Sequence, residues 1–140
     1  MPLSYHNAQS KLKGPKYEPF WLGLRFRDRA KLYARVDARV DRMMEQGLEA
    51  EVRRLLNRGV DPKTTAMQAI GYKEAVLALR GEVSRAEALA LVKQASRRYA
   101  KRQLTWFRRE PDTRWILWEG EPDIEAAAEK IRNSESGIRN

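Results

Sequence analysis

Apolar residues along the chain change their spacing several times, and each change predicts an element. Residues 20–26, Phe-Trp-Leu-Gly-Leu-Arg-Phe, are too apolar for clean alternation and predict a strand buried on both faces. Asp28 then reads as a helix cap, and Leu32, Val36, Val40, Met43 and Met44 recur at helical spacing. Gly47 interrupts or bends that helix. Leu48, Val52, Leu55 and Leu56 carry the stripe on to Gly59, which opens the turn Gly59-Val60-Asp61-Pro62. A shorter helix is expected over 65–79, although Gly71 within it costs about 1 kcal/mol against alanine. Ser84 and Glu87 form a capping box that opens the longest helix, 85–108, and Pro111 ends it. Residues 114–118 predict a second strand. Asp123 caps a last helix with Ile124, Ala127 and Ile131 on one side. Residues 1–19 read as an irregular lead-in and 133–140 as a disordered tail.

The fold class expected is mainly α, a helical block over 20–132 flanked by two short strands. Two strands alone make a poor sheet. They either pair with each other or are edges of a larger sheet whose other strands this chain lacks.

Charge changes the picture next. Of 140 residues, 28 are Lys or Arg and 19 are Asp or Glu, a formal net charge of +9. A fold does not need that imbalance, which attracts polyanions. Much of it lies on the long helix. At about 100° per residue, Arg97, Arg98, Lys101, Arg102, Thr105, Arg108 and Arg109 share one arc. No acidic residue interrupts 97–109. Repulsion along such a stripe is relieved by phosphates, which fit the planar arginine fork. Ala88, Val92, Ala95, Tyr99 and Trp106 fall on the opposite, core-facing side. Phe107 lies beside them and is the better aromatic for a ligand.

Other chemistries are excluded. There is no cysteine, and His6 is the only histidine, so disulfides and thiolate or histidine-cluster metal sites are ruled out. Asp37 and Asp41 lie four apart, but beside arginines they read as solvated carboxylates, and no metal is assigned. No apolar run is long enough for a membrane span and no signal peptide is evident, so a cytoplasmic protein is expected. No glycine-rich phosphate loop occurs. On these grounds two readings stay open: a standalone basic helical RNA-binding module, and a protein-interaction module whose arginines face an acidic partner.

Four ordered blocks then carry a resemblance. They are 32–43 (Leu-Tyr-Ala-Arg-Val-Asp-Ala-Arg-Val-Asp-Arg-Met), Gly47-Leu48 with Glu51, Val52 and Leu55, 66–74 (Ala-Met-Gln-Ala-Ile-Gly-Tyr-Lys-Glu), and 97–108 (Arg-Arg-Tyr-Ala-Lys-Arg-Gln-Leu-Thr-Trp-Phe-Arg). Across residues 17–118 the chain resembles the C-terminal part of the tRNA dimethylallyltransferases. These transfer a dimethylallyl group from its diphosphate to N6 of the adenosine 3′ of the anticodon. The resemblance implies that the two strands belong to an incomplete P-loop nucleotide-kinase-like α/β core. The family's phosphate loop and aspartate general base lie in an N-terminal half absent here. This chain is then expected to hold no catalytic residue and to be inactive alone. Arg39 matches an arginine near the donor diphosphate. Met67, Gln68, Ala69, Ile70, Gly71 and Tyr72, together with the basic face, match regions that touch tRNA, Gly71 allowing close RNA approach. The implied partners are the tRNA anticodon stem-loop, dimethylallyl diphosphate and the missing half. No cofactor is expected on this part, and Mg2+ is expected in the full enzyme.

Overall fold

The computed structural model describes residues 21–136. Strand β1 (Leu22–Phe26) leads into helix α1 (Arg29–Glu45), followed by α2 (Leu48–Asn57). A single 3-10 turn (Ala66–Gln68) precedes α3 (Tyr72–Leu79). Then come the long α4 (Arg85–Phe107), β2 (Arg114–Trp118) and α5 (Ile124–Ser136).

Among the described residues the strands pair with each other, in parallel, with Leu22 opposite Arg114 and Phe26 opposite Trp118. The whole helical block is therefore one crossover between neighbouring parallel strands. Trp115 lies over the β1 backbone at Gly23, where an added Cβ would sit 2.5 Å from its ring. Phe26 and Trp118 meet edge to face at 5.7 Å. The expected burial of both strand faces is not found: Leu24 is 48% exposed. A two-stranded sheet has too few neighbours to cover both sides. Residue 20, the first of the expected strand, lies outside the described residues, as do 1–19.

The caps read from sequence form. Asp28 accepts from the Ala30 N–H at 2.8 Å, and Asp123 from the Ala126 N–H at 2.9 Å. Ser84 and Glu87 exchange two bonds, Ser84 N–H to the Glu87 carboxylate at 2.8 Å and Glu87 N–H to Ser84 Oγ at 3.1 Å. The Ser84 backbone N–H, and after it the Ser84 hydroxyl, hold the Glu87 carboxyl below its ordinary range. Gly47 interrupts the helix and does not merely bend it, so the stripe is carried by two helices.

Two expectations need correction. The helix expected over 65–79 is a 3-10 turn, a bend, and a helix that starts only at Tyr72. The bend is at Gly71, with φ +100° and ψ −46°, a conformation that stops a helix. The tail expected from 133 continues as helix to Ser136, since no glycine or proline intervenes before Gly137. Residues 137–140 lie outside the described residues.

The core forms where α2, the 3-10 turn and α3 meet: Val52, Met67, Ala75 and Val76, with Leu55, Leu56, Val60, Tyr72 and Leu79 packed around them. Val40 of α1 and Ala88 and Val92 of α4 are buried where those helices pack. The same helices are tied by two ion pairs. Asp37 meets Arg97 at 2.8 Å, and Asp41 meets Lys93 at 2.7 Å. Ascending numbers on α1 meet descending ones on α4, so the helices run antiparallel. At the far end, Arg35 pairs with Glu121 at 3.1 Å, fixing α1 to the segment after β2.

Candidate nucleic-acid interface

The site grows out of α4. Its 23 residues extend about 34 Å at 1.5 Å per residue. Both of its fully buried residues, Ala88 and Val92, lie in the first half. The second half passes beyond the core, and its aromatics are exposed: Tyr99 by 48% and Trp106 by 55%. This corrects the sequence reading, which put both on the core side. The helical arc is right, but the described residues cover these rings only in part. Trp106 and Phe107 contact each other edge to face at 5.2 Å. The Arg102 guanidinium lies 5.5 Å over the Tyr99 ring, a cation–π contact.

The basic stripe is divided. Arg97 is half-buried and turned to Asp37, so it ties α4 to α1 and leaves the free face. Asp37 and Asp41, expected to be solvated, are the partners that do this. Arg98, Lys101, Arg102, Arg108 and Arg109 stay exposed, with no carboxylate partner among the described residues. Arg109 lies just past the helix, its N–H donating to Trp106 O. The exposed cations then part to either side of α4. Arg102 lines a cleft against α1, and Lys101, Thr105 and Arg108 line another against β1.

The α1–α4 cleft, of about 740 Å³, gathers residues distant in sequence. Leu32, Val36, Arg39 and Met43 come from α1, Gln68, Ala69 and Ile70 from the bend before α3, and Ser96, Tyr99, Arg102 and Gln103 from α4. It is an apolar trough carrying two arginines. Such a lining accepts an apolar group or a base together with a phosphate. The bend is held in place locally: Gln68 donates to Pro62 O at 2.9 Å. The buried Glu74 carboxylate accepts the Gly71 N–H at 2.8 Å and sits at the positive end of α3.

Other residues expected at the RNA are placed inside the fold. Met67 is 1% exposed and belongs to the core. Gly71 is buried, facing Leu48 of α2 at 3.2 Å from a built Cβ, so its role is internal and not an opening toward RNA. Tyr72 is half-buried and donates its hydroxyl to Glu51, a bond that raises the phenol above its ordinary value.

Sequence reasoning missed Arg25, Arg27 and Arg29, which line the β1–α4 cleft. The signal was present: arginine at every second position from the strand into the helix start. No cluster of three or more His, Cys, Asp or Glu occurs among the described residues. Asp37 and Asp41 are each committed to a cation. No helix among them is long and apolar enough to cross a membrane.

Comparison with known proteins places the chain. A sequence model described as "IPP transferase" matches residues 1–110. The chain belongs to the IPP transferase family. It is 48% identical over 139 residues to the tRNA dimethylallyltransferase of Carboxydothermus hydrogenoformans, covering 99% of this chain and 43% of that protein. It is 46% identical over 117 residues to that of a Thermoanaerobacter species, covering 83% and 37%. Among solved structures, the full-length tRNA isopentenylpyrophosphate transferase of Bacillus halodurans superposes with a TM-score of 0.80 at 40% identity, over 92% of this chain and 42% of that one. The chain thus spans about two fifths of the length of these relatives. Its two parallel strands are part of an incomplete α/β core beside the helical block.

Proposed function

We propose that this chain is the RNA-holding part of a tRNA dimethylallyltransferase. The whole enzyme forms a bond between N6 of the adenosine 3′ of the anticodon and the allylic carbon of dimethylallyl diphosphate. The carbon–oxygen bond breaks, diphosphate leaves with the electron pair, and the N6 proton passes to a base in the half this chain lacks. Arg39 steadies the departing diphosphate, because a guanidinium fork matches charge that grows on phosphate oxygens. Leu32, Val36 and Met43 shelter the dimethylallyl group from water. Arg102 and Tyr99, with the bend at 68–70, hold the RNA next to it. Arg97 serves as a strut. No step is assigned to Mg2+ here, and the chain alone is expected to transfer nothing.

The observation that carries this reading is the meeting of Arg39, Gln68–Ile70 and Arg102 in one cleft from three separate segments. The names of the relatives supply the substrates. The test is binding of a labelled anticodon stem-loop by Arg39→Gln/Arg102→Gln. Removing each charge-assisted hydrogen bond weakens binding about tenfold. Wild-type affinity in that variant refutes the reading.

A further inference from the structure

The second cleft lies on the other side of α4, where the end of β1 and the start of α1 approach the last turns of the long helix. Its volume is about 670 Å³. Arg25, Arg27 and Arg29 line one wall, and Lys101, Thr105 and Arg108 the other. No carboxylate lines it among the described residues. Arg27 reaches Glu119 at 3.0 Å, but both side chains are largely exposed, and such a pair neutralises little. Arg25 stacks its guanidinium 5.3 Å over Trp115, and its Nε–H is buried without an acceptor. Five cations face one space, brought there by β1, the turn after it, the start of α1 and the end of α4.

We propose that this cleft seats the ribose-phosphate backbone of the RNA, as a second anchor separate from the α1–α4 cleft. The inference rests on the tRNA reading above. Three features favour a polynucleotide strand over a small free anion. Lys101, Thr105 and Arg108 follow one another along about 10 Å of helix, longer than a single phosphate needs. Half of the lining residues are cations, which suits a backbone that carries charge at every nucleotide. Lys101 and Arg102 are neighbours in sequence yet line different clefts, so one RNA strand crossing α4 engages both. The cleft also opens at the carboxyl end of a parallel strand, where α/β sheets commonly receive phosphorylated ligands.

The experiment uses the full chain, a labelled anticodon stem-loop and the variant Arg29→Gln/Arg108→Gln. Neither residue pairs with a carboxylate among the described residues, so folding is expected to survive, checked by thermal melting. The predicted result is binding weaker by tenfold or more. The slope of log affinity against log salt also becomes shallower, by about 0.7–0.9 for each phosphate that is no longer neutralised. Inorganic diphosphate is titrated in parallel and is expected not to saturate the cleft. Unchanged RNA affinity and slope overturn the proposal. So does a variant that loses diphosphate binding while keeping RNA, which makes the cleft a small-anion site. If Arg29→Gln/Arg108→Gln is silent while Arg39→Gln/Arg102→Gln weakens binding, this anchor fails and the tRNA reading stands. If wild type binds no RNA, both fail.

Discussion

Single residues decide where the bend before α3 can sit. Gly71 takes φ +100° between the 3-10 turn and α3, and the Leu48 side chain leaves little room for a Cβ. Its N–H is held by a buried glutamate that also caps the helix. Gly71→Ala is therefore expected to destabilise the fold by about 1–3 kcal/mol, from backbone strain at a conformation L-residues avoid. Urea unfolding checks this; an unchanged midpoint contradicts it. The sequence showed that this glycine was out of place in a helix. It did not show why, because the reason is a neighbour from α2, distant along the chain. Met67 escaped in the same way: it lies in a segment that resembles a tRNA-contacting one, yet it fills the core.

Elements were more legible than the packing between them. Caps at Asp28, Ser84 and Asp123 follow from local chemistry, so they could be read directly. The face of α4 could not, because one helical wheel does not say which helix lies against it or where that helix ends. Arg97 faces α1 and finds Asp37, whereas Tyr99 and Trp106 stay about half exposed. A double-mutant cycle on Asp37→Asn and Arg97→Gln is expected to give a coupling of about 0.5–1 kcal/mol, that of a half-exposed pair. Arg97→Gln alone is expected to leave RNA affinity within about threefold of wild type, unlike Arg102→Gln. Equal losses from Arg97→Gln and Arg102→Gln contradict the division of the basic stripe.

At the scale of the molecule, the helical block is the crossover between two paired parallel strands, and α4 is flanked by a cationic cleft against β1 and an apolar one carrying two arginines against α1. The net charge of +9 announced a polyanion, and the composition alone could not say how the charge was arranged. The strands were visible as apolar runs, but their parallel pairing needed the whole crossover in place. Arg25, Arg27 and Arg29 became part of a surface only once β1 was set against the end of α4.

The central claim is that exposed cations on both flanks of α4 hold RNA through its phosphates. Binding of an anticodon stem-loop to the wild-type chain across a salt series tests it most directly. The account predicts a plot of log affinity against log salt with a slope of about −3 or steeper, since several phosphates are neutralised. A flat slope, or binding that an uncharged competitor removes as readily as salt does, contradicts it.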